Sequence, residues 1–204
     1  MTLEQLRGRL GYQPLLLGAM ALCASAALAW AADATRAAIA AAEARDLRAS
    51  LAEVLPGGFA DNDFLRDTID LPRAGRTVTV YRARRNGRVE GAVFKVAERG
   101  YAADIQLLIG VDRDGRTLGV RVLKHAETPG LGDKIEVAKS AWIRAFDGRS
   151  LGDPPPGKWA VRKDGGDFDQ FAGATITPRA VVRSVRGGLE FFAAHRAEIL
   201  GEAS

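Results

Sequence analysis

From Pro14 to Ala32 the chain carries no charged residue for nineteen positions (PLLLGAMALCASAALAWAA). That is about the length a helix needs to cross the hydrocarbon core of a bilayer, so this segment restricts the fold more than any other. Trp30 sits near one end, where an amphipathic ring favours the membrane interface. The small residues Ala27-Leu28-Ala29 would also suit a cleaved secretory signal. The run exceeds the apolar region of most signals, however, and alanine-rich helix formers follow it without a break, so an uncleaved anchor is expected. Arg7 and Arg9 precede the span and Asp33 follows it, a bias that keeps residues 1–13 in the cytoplasm; Arg36, Arg45 and Arg48 weaken it. In a bacterium the remaining chain then lies on the periplasmic side of the inner membrane.

Residues 34–54 (ATRAAIAAAEARDLRASLAEV) combine high helix propensity with a thin apolar stripe at Ile39, Leu47, Leu51 and Val54. They predict a stalk helix ending at Pro56-Gly57-Gly58, followed by a connection over 59–75 with one short element; stalk and linker together span 33–76. The β region begins at residue 77. TVTVYRA (77–83) meets RVEGAVFKVA (88–97) through Asn86-Gly87, and ADIQLLIGV (103–111) meets TLGVRVLKH (117–125) through Asp114-Gly115. These dipeptides tolerate the positive φ of tight hairpins, so an antiparallel sheet follows. EVAKSAWIRAF (136–146) predicts a helix, and 147–170 a loop around a short strand at Trp159 to Arg162. Val181, Val185, Leu189 and Phe192 recur every three or four residues and predict a C-terminal amphipathic helix whose stripe resumes at Ile199. The expected class is α+β: a transmembrane helix over 14–32, a stalk helix, and an antiparallel-sheet domain with a C-terminal helix over 77–204.

The chemistry-bearing corner is FDQFAGATITPRAVV (168–182). Thr177-Pro178 is a helix-start pattern, with threonine as cap and proline at the first helical position. Gly173, Ala174 and Thr175 then precede a helix N-terminus, where free N–H groups and the helix dipole suit a phosphate. A plain loop-to-helix cap uses the same residues, and a threonine hydroxyl is a poor nucleophile without a base or metal. The corner alone is compatible with both.

Asp169-Gln170-Phe171-Ala172-Gly173-Ala174-Thr175 resembles the D-x-x-[ST]-G-A-T motif of the FMN-binding domain family, in which FMN is joined through its phosphate to the final threonine. Ala172 stands where that family more often has Ser or Thr. His125-Ala126-Glu127-Thr128-Pro129-Gly130-Leu131-Gly132 resembles a second hallmark of the family, a loop beside the flavin. With the N-terminal anchor and the length, the two motifs resemble the anchored flavoprotein subunits of ion-translocating electron-transport complexes; the longer quinone-reductase subunits match less well. The resemblance implies covalent FMN on Thr175, with Gly173, Ala174 and Thr177 around the phosphate and Glu127, Thr128, Gly130 and Leu131 along the ring. It also implies a separate flavin transferase, other subunits of a membrane complex as partners, and no acid–base machinery in this chain.

Other functions are less well supported. The net charge of +4 comes from arginines spread along the chain rather than gathered on one face, which argues against nucleic acid. One cysteine and two histidines, with no HExxH or CxxC spacing, argue against an intrachain metal site. No GxGxxG follows a strand to hold a dinucleotide. A cofactor-free anchored binding module, and more remotely a hydrolase using Thr175 or Ser140 with His125, remain as rivals.

Overall fold

The computed structural model describes residues 12–202; Arg7 and Arg9, on which the topology rests, lie outside them. Helix α1 runs Tyr12–Val54 and stops before Pro56, where a further helical turn would lose a backbone donor. Two compact units divide the chain, Met1–Asp46 and Leu47–Ser204. In the first, α1 is the one helix among the described residues long and apolar enough to cross a membrane, and none of its most apolar window is buried. Leu15, Met20, Leu22, Leu28 and Trp30 all stand exposed.

The second unit is a five-stranded antiparallel meander in the order β1 to β5, made of β1 (Thr68–Arg73), β2 (Arg76–Arg85), β3 (Arg88–Arg99), β4 (Asp104–Asp112) and β5 (Thr117–Lys124). Helices α2 (Ile176–Ala194) and α3 (Arg196–Leu200) follow. Alternation along the strands separates two faces. Phe94, Val96, Leu107 and Ile109 point into a core shared with Val181, Val185, Leu189 and Phe192 of α2. Val93, Leu108 and Ala83 point the other way and pack with Leu51, Val54 and Leu55 at the end of α1. With both faces covered, the middle of β3 and β4 is apolar without interruption.

Glycine makes the second layer possible at one pair of positions. Gly110 and Gly119 face each other across β4 and β5, and a Cβ would lie 2.7 Å from the Val54 carbonyl oxygen at Gly110 and 3.0 Å at Gly119. The last turn of α1 therefore lies directly on sheet backbone. Gly110→Ala is expected to lower stability by about 1–3 kcal/mol and Gly119→Ala by less, measured as urea midpoints at constant m.

Asn86 (φ 51) and Gly87 (φ 78) form the expected hairpin turn. The β1–β2 turn uses the same backbone at Ala74 (φ 47) and Gly75 (φ 75). Alanine is not a turn signal, which explains why 59–75 reads as mostly connection. Residues 136–146 are not the α-helix that the apolar spacing predicts. A turn leads to Ser140, whose hydroxyl accepts from Trp142 N–H and starts a 3₁₀ helix, Ala141–Phe146. Nor is 159–162 a strand; Val161 makes an isolated bridge to Phe168 between two short 3₁₀ turns. His195 interrupts the C-terminal helix, and Ile199 is buried on α3.

Asp67 fastens the start of β1 to β2 by accepting from Arg82 Nε at 2.7 Å and from Arg84. Burial pushes its carboxyl up, but the hydrogen bonds and charges of Arg84 and Arg82 outweigh that and hold it below 3.8. A depressed carboxyl contributes stability at pH above its unfolded value, about 3.9, and loses it as pH falls through the lower folded value. Asp67→Asn is therefore expected to flatten the fall of the urea midpoint below about pH 4.

Candidate functional site

Phe168 and Phe171 are buried in the main core, so the segment between loop and α2 is pinned at both ends of Asp169-Gln170. Trp142 packs edge-on to Phe171 at 5.1 Å between centroids, and its Nε1 donates to the Asp169 carbonyl at 2.9 Å. Gly173 follows at φ 79, a backbone that only glycine adopts without strain. The chain then enters α2 with Thr175 as N-cap. This differs from the expected start by two residues: Thr177-Pro178 lies inside the first turn, and the Thr175 side chain makes no capping bond.

Thr177 has another partner. Its hydroxyl donates to Glu127 Oε2, and both residues are buried. Glu127 Oε1 accepts from Tyr101 N at 3.0 Å and Ala102 N at 3.4 Å. One buried carboxylate therefore joins the tip of the β3–β4 hairpin, the 125–132 loop and the first turn of α2. The surroundings leave it no slack, since a Cβ on Gly100 would lie 2.5 Å from Oε1 and one on Gly132 2.8 Å from the Thr177 hydroxyl.

The loop before it is equally fixed. His125 Nδ1 accepts from Glu127 N at 3.1 Å, so its proton is on Nε2, which donates to Glu136 at 2.8 Å. Lys139 also bonds Glu136 and Asp133, each at 2.8 Å. The Lys139 hydrogen bond, then that of His125, holds the Glu136 carboxyl below its usual value. His125 is thus a structural link between loop and turn, and Ser140 is a cap, which removes the basis for a hydrolase built on that pair. Gly130, at φ 76, supplies the bend that lets Leu131 and Gly132 donate to the Thr128 carbonyl.

A cavity of about 200 Å³ opens where these segments meet, lined by Tyr101, Glu127, Thr128, Leu131, Gly132 and residues 173–177. Seven of the eight residues expected from the sequence are on its wall; Gly130 is not. Tyr101, Gly132 and Ile176 line it without having been expected. For Tyr101 the signal available was an aromatic residue in a hairpin tip. Outside α1, the exposed large apolar side chains among the described residues are Tyr101, Leu131 and Ile176, and all three stand on this rim.

At the floor, Ile176 and Thr177 N–H have no backbone acceptor among the described residues and Pro178 has no N–H, which leaves helix-end donors facing the cavity. Arg179, the nearest guanidinium along α2, is held by Asp164 through two bonds of 2.6 Å. An anion here would depend on backbone donors and the helix dipole rather than on that arginine. The volume is below the usual 300–1,000 Å³ or so of a ligand pocket. A small anionic group fits inside, and a larger flat one would extend over the apolar rim.

The helix start and its rim of exposed apolar side chains fall within residues 100–190, which the family model of the FMN-binding domain matches. The chain is 54% identical to the G subunit of the ion-translocating oxidoreductase complex of Cereibacter sphaeroides, over 91% of this chain and 85% of that one. It is 49% identical to the protein of the same name from Stutzerimonas stutzeri, over 92% and 83%. Among solved structures it is similar to NqrC of Shewanella oneidensis, 28% identical with a TM-score of 0.48, covering 60% of this chain and 61% of that chain. The chain belongs to the family formed by the G subunits of ion-translocating oxidoreductase complexes.

Proposed function

We propose that this chain is the membrane-anchored flavoprotein subunit of an ion-translocating electron-transport complex, and that FMN is held as a phosphoester on Thr175. The observation that carries the reading is the Thr175 side chain: it makes no capping bond and lines the cavity between free helix-end donors and an apolar rim. Gly173, Ala174 and the N–H of Thr177 would surround the phosphate. Thr128, Leu131, Tyr101 and Ile176 would meet the ring. When bound, FMN supplies the electron-carrying chemistry; the chain supplies position and a partly shielded surface. Attachment through the phosphate leaves the ring system free to react.

The weak nucleophilicity of threonine is consistent with attachment by a separate flavin transferase, for which Asp169 is exposed and paired only at the surface with Arg162. Residues 14–32 would cross the bacterial inner membrane once, with the sheet domain on the periplasmic side beside the other subunits of the complex. Purified native protein is expected to exceed its polypeptide mass by FMN less one water, with the increment on the peptide containing Thr175. An unmodified peptide from natively matured protein would refute the covalent assignment. Thr175→Ser, which keeps the hydroxyl, is expected to retain part of the increment.

A further inference from the structure

β2 pairs with β3 only from Val80↔Phe94 to Arg85↔Arg88. Beyond Val80 and Phe94 the strands separate, because residues 76–79 pair only with β1 and residues 95–99 only with β4. A cleft of about 520 Å³ lies in the split. The backbone groups of 76–79 and 95–98 that face it have no backbone partner among the described residues. Unpaired strand edges accept another strand unless they are blunted. The outer edge of β1 carries Pro72 and exposed Asp70, whereas neither lip of the split contains proline.

Charge indicates what the cleft would take. Val78 and Val96 provide apolar walls, and Arg76 and Lys95 stand exposed at the lips with no ion pair among the described residues. The lining carboxylate, Glu98, is paired with Arg183 at 3.3 Å, and its charge also acts on Arg73, which lines the cleft too. The cleft is therefore cationic at the rim, apolar on its walls and open to backbone pairing on two sides. We propose that it receives an extended acidic segment of a partner protein, which lies as a short strand between β2 and β3. Two facing backbone edges favour a peptide over a lipid, because only a peptide satisfies donors and acceptors at a strand's repeat.

The inference rests on the functional reading only in requiring partner subunits, not in requiring flavin. Hydrogen exchange by mass spectrometry on the full chain, alone in detergent and within its assembled complex, tests it. Amides in 76–79 and 95–98 are expected to exchange at least about tenfold more slowly in the complex, and the double variant Arg76→Glu/Lys95→Glu is expected to remove that protection while the rest of the sheet exchanges as before. Thr175→Ala complexes should keep the protection, which separates this result from the fate of the flavin assignment. Equal exchange in both states, or protection that survives the double charge reversal, would overturn the proposal. So would protection of the isolated chain by vesicles of anionic phospholipid, or protection that accompanies a doubling of its mass.

Discussion

Thr175→Ala is expected to yield protein with no covalently bound flavin and almost unchanged stability. The cavity contains two other threonine hydroxyls, but the Thr177 proton is committed to buried Glu127 and Thr128 lies on the loop across from the helix start. Neither substitutes for an oxygen at the N-cap. An N-cap threonine normally contributes about 0.5–2 kcal/mol through its hydrogen bond to the first turn. Thr175 makes no such bond, so its loss should alter stability by less than that range. The check is a denaturing gel of protein coexpressed with its flavin transferase, viewed under ultraviolet light, beside a melting curve. A fluorescent Thr175→Ala band would move the attachment to another residue, and a large drop in Tm would make Thr175 a structural cap.

The largest expected effect on stability is at Glu127. Removing its carboxylate in Glu127→Ala leaves the buried Thr177 hydroxyl without its acceptor, together with the partly buried N–H groups of Tyr101 and Ala102 at the exposed hairpin tip. Buried groups left unpaired cost about 1–3 kcal/mol each when water cannot reach them. Water can reach the two hairpin-tip amides, which lowers their share and brings the expected loss to about 2–4 kcal/mol, or roughly 4–16 °C in Tm for a unit of this size. Because the same carboxylate positions α2 against the 125–132 loop, flavin attachment should also fall. Glu127→Gln keeps one oxygen for the two amides and should lose about half as much stability. If Glu127→Ala were as stable as the parent, the three segments would be held together by packing alone.

This role for Glu127 was not legible in the chain. The motif around it suggests a residue against the flavin ring, because sequence spacing carries no information about which of two loops a carboxylate faces. Its partners are 25 and 50 residues away, and only the folded sheet brings the hairpin tip and the helix start to the same point. Thr177 illustrates the same limit from the other side. Threonine before proline is a sound cap signal, yet here a buried acceptor captures the hydroxyl and the helix begins two residues earlier. The helix expected over 136–146 fails for a local reason, since the Ser140 hydroxyl competes for Trp142 N–H and starts a tighter turn.

The hairpins at Asn86-Gly87 and Asp114-Gly115, the end of α1 before Pro56 and the apolar stripe of the C-terminal helix were all readable, because each depends on backbone preferences or periodicity within a few residues. The strand at 68–73 was not, because its turn places alanine at positive φ, where composition offers no hint. By itself, then, the sequence determined the anchor-length helix, the antiparallel sheet and the threonine at the helix corner, all products of local chain chemistry. The tertiary structure alone decided that Glu127 faces Thr177, that Tyr101 and Ile176 join the cavity rim, and that β2 and β3 part to leave a cleft. Each of those depends on strand register and on packing between distant segments, which local preferences do not encode.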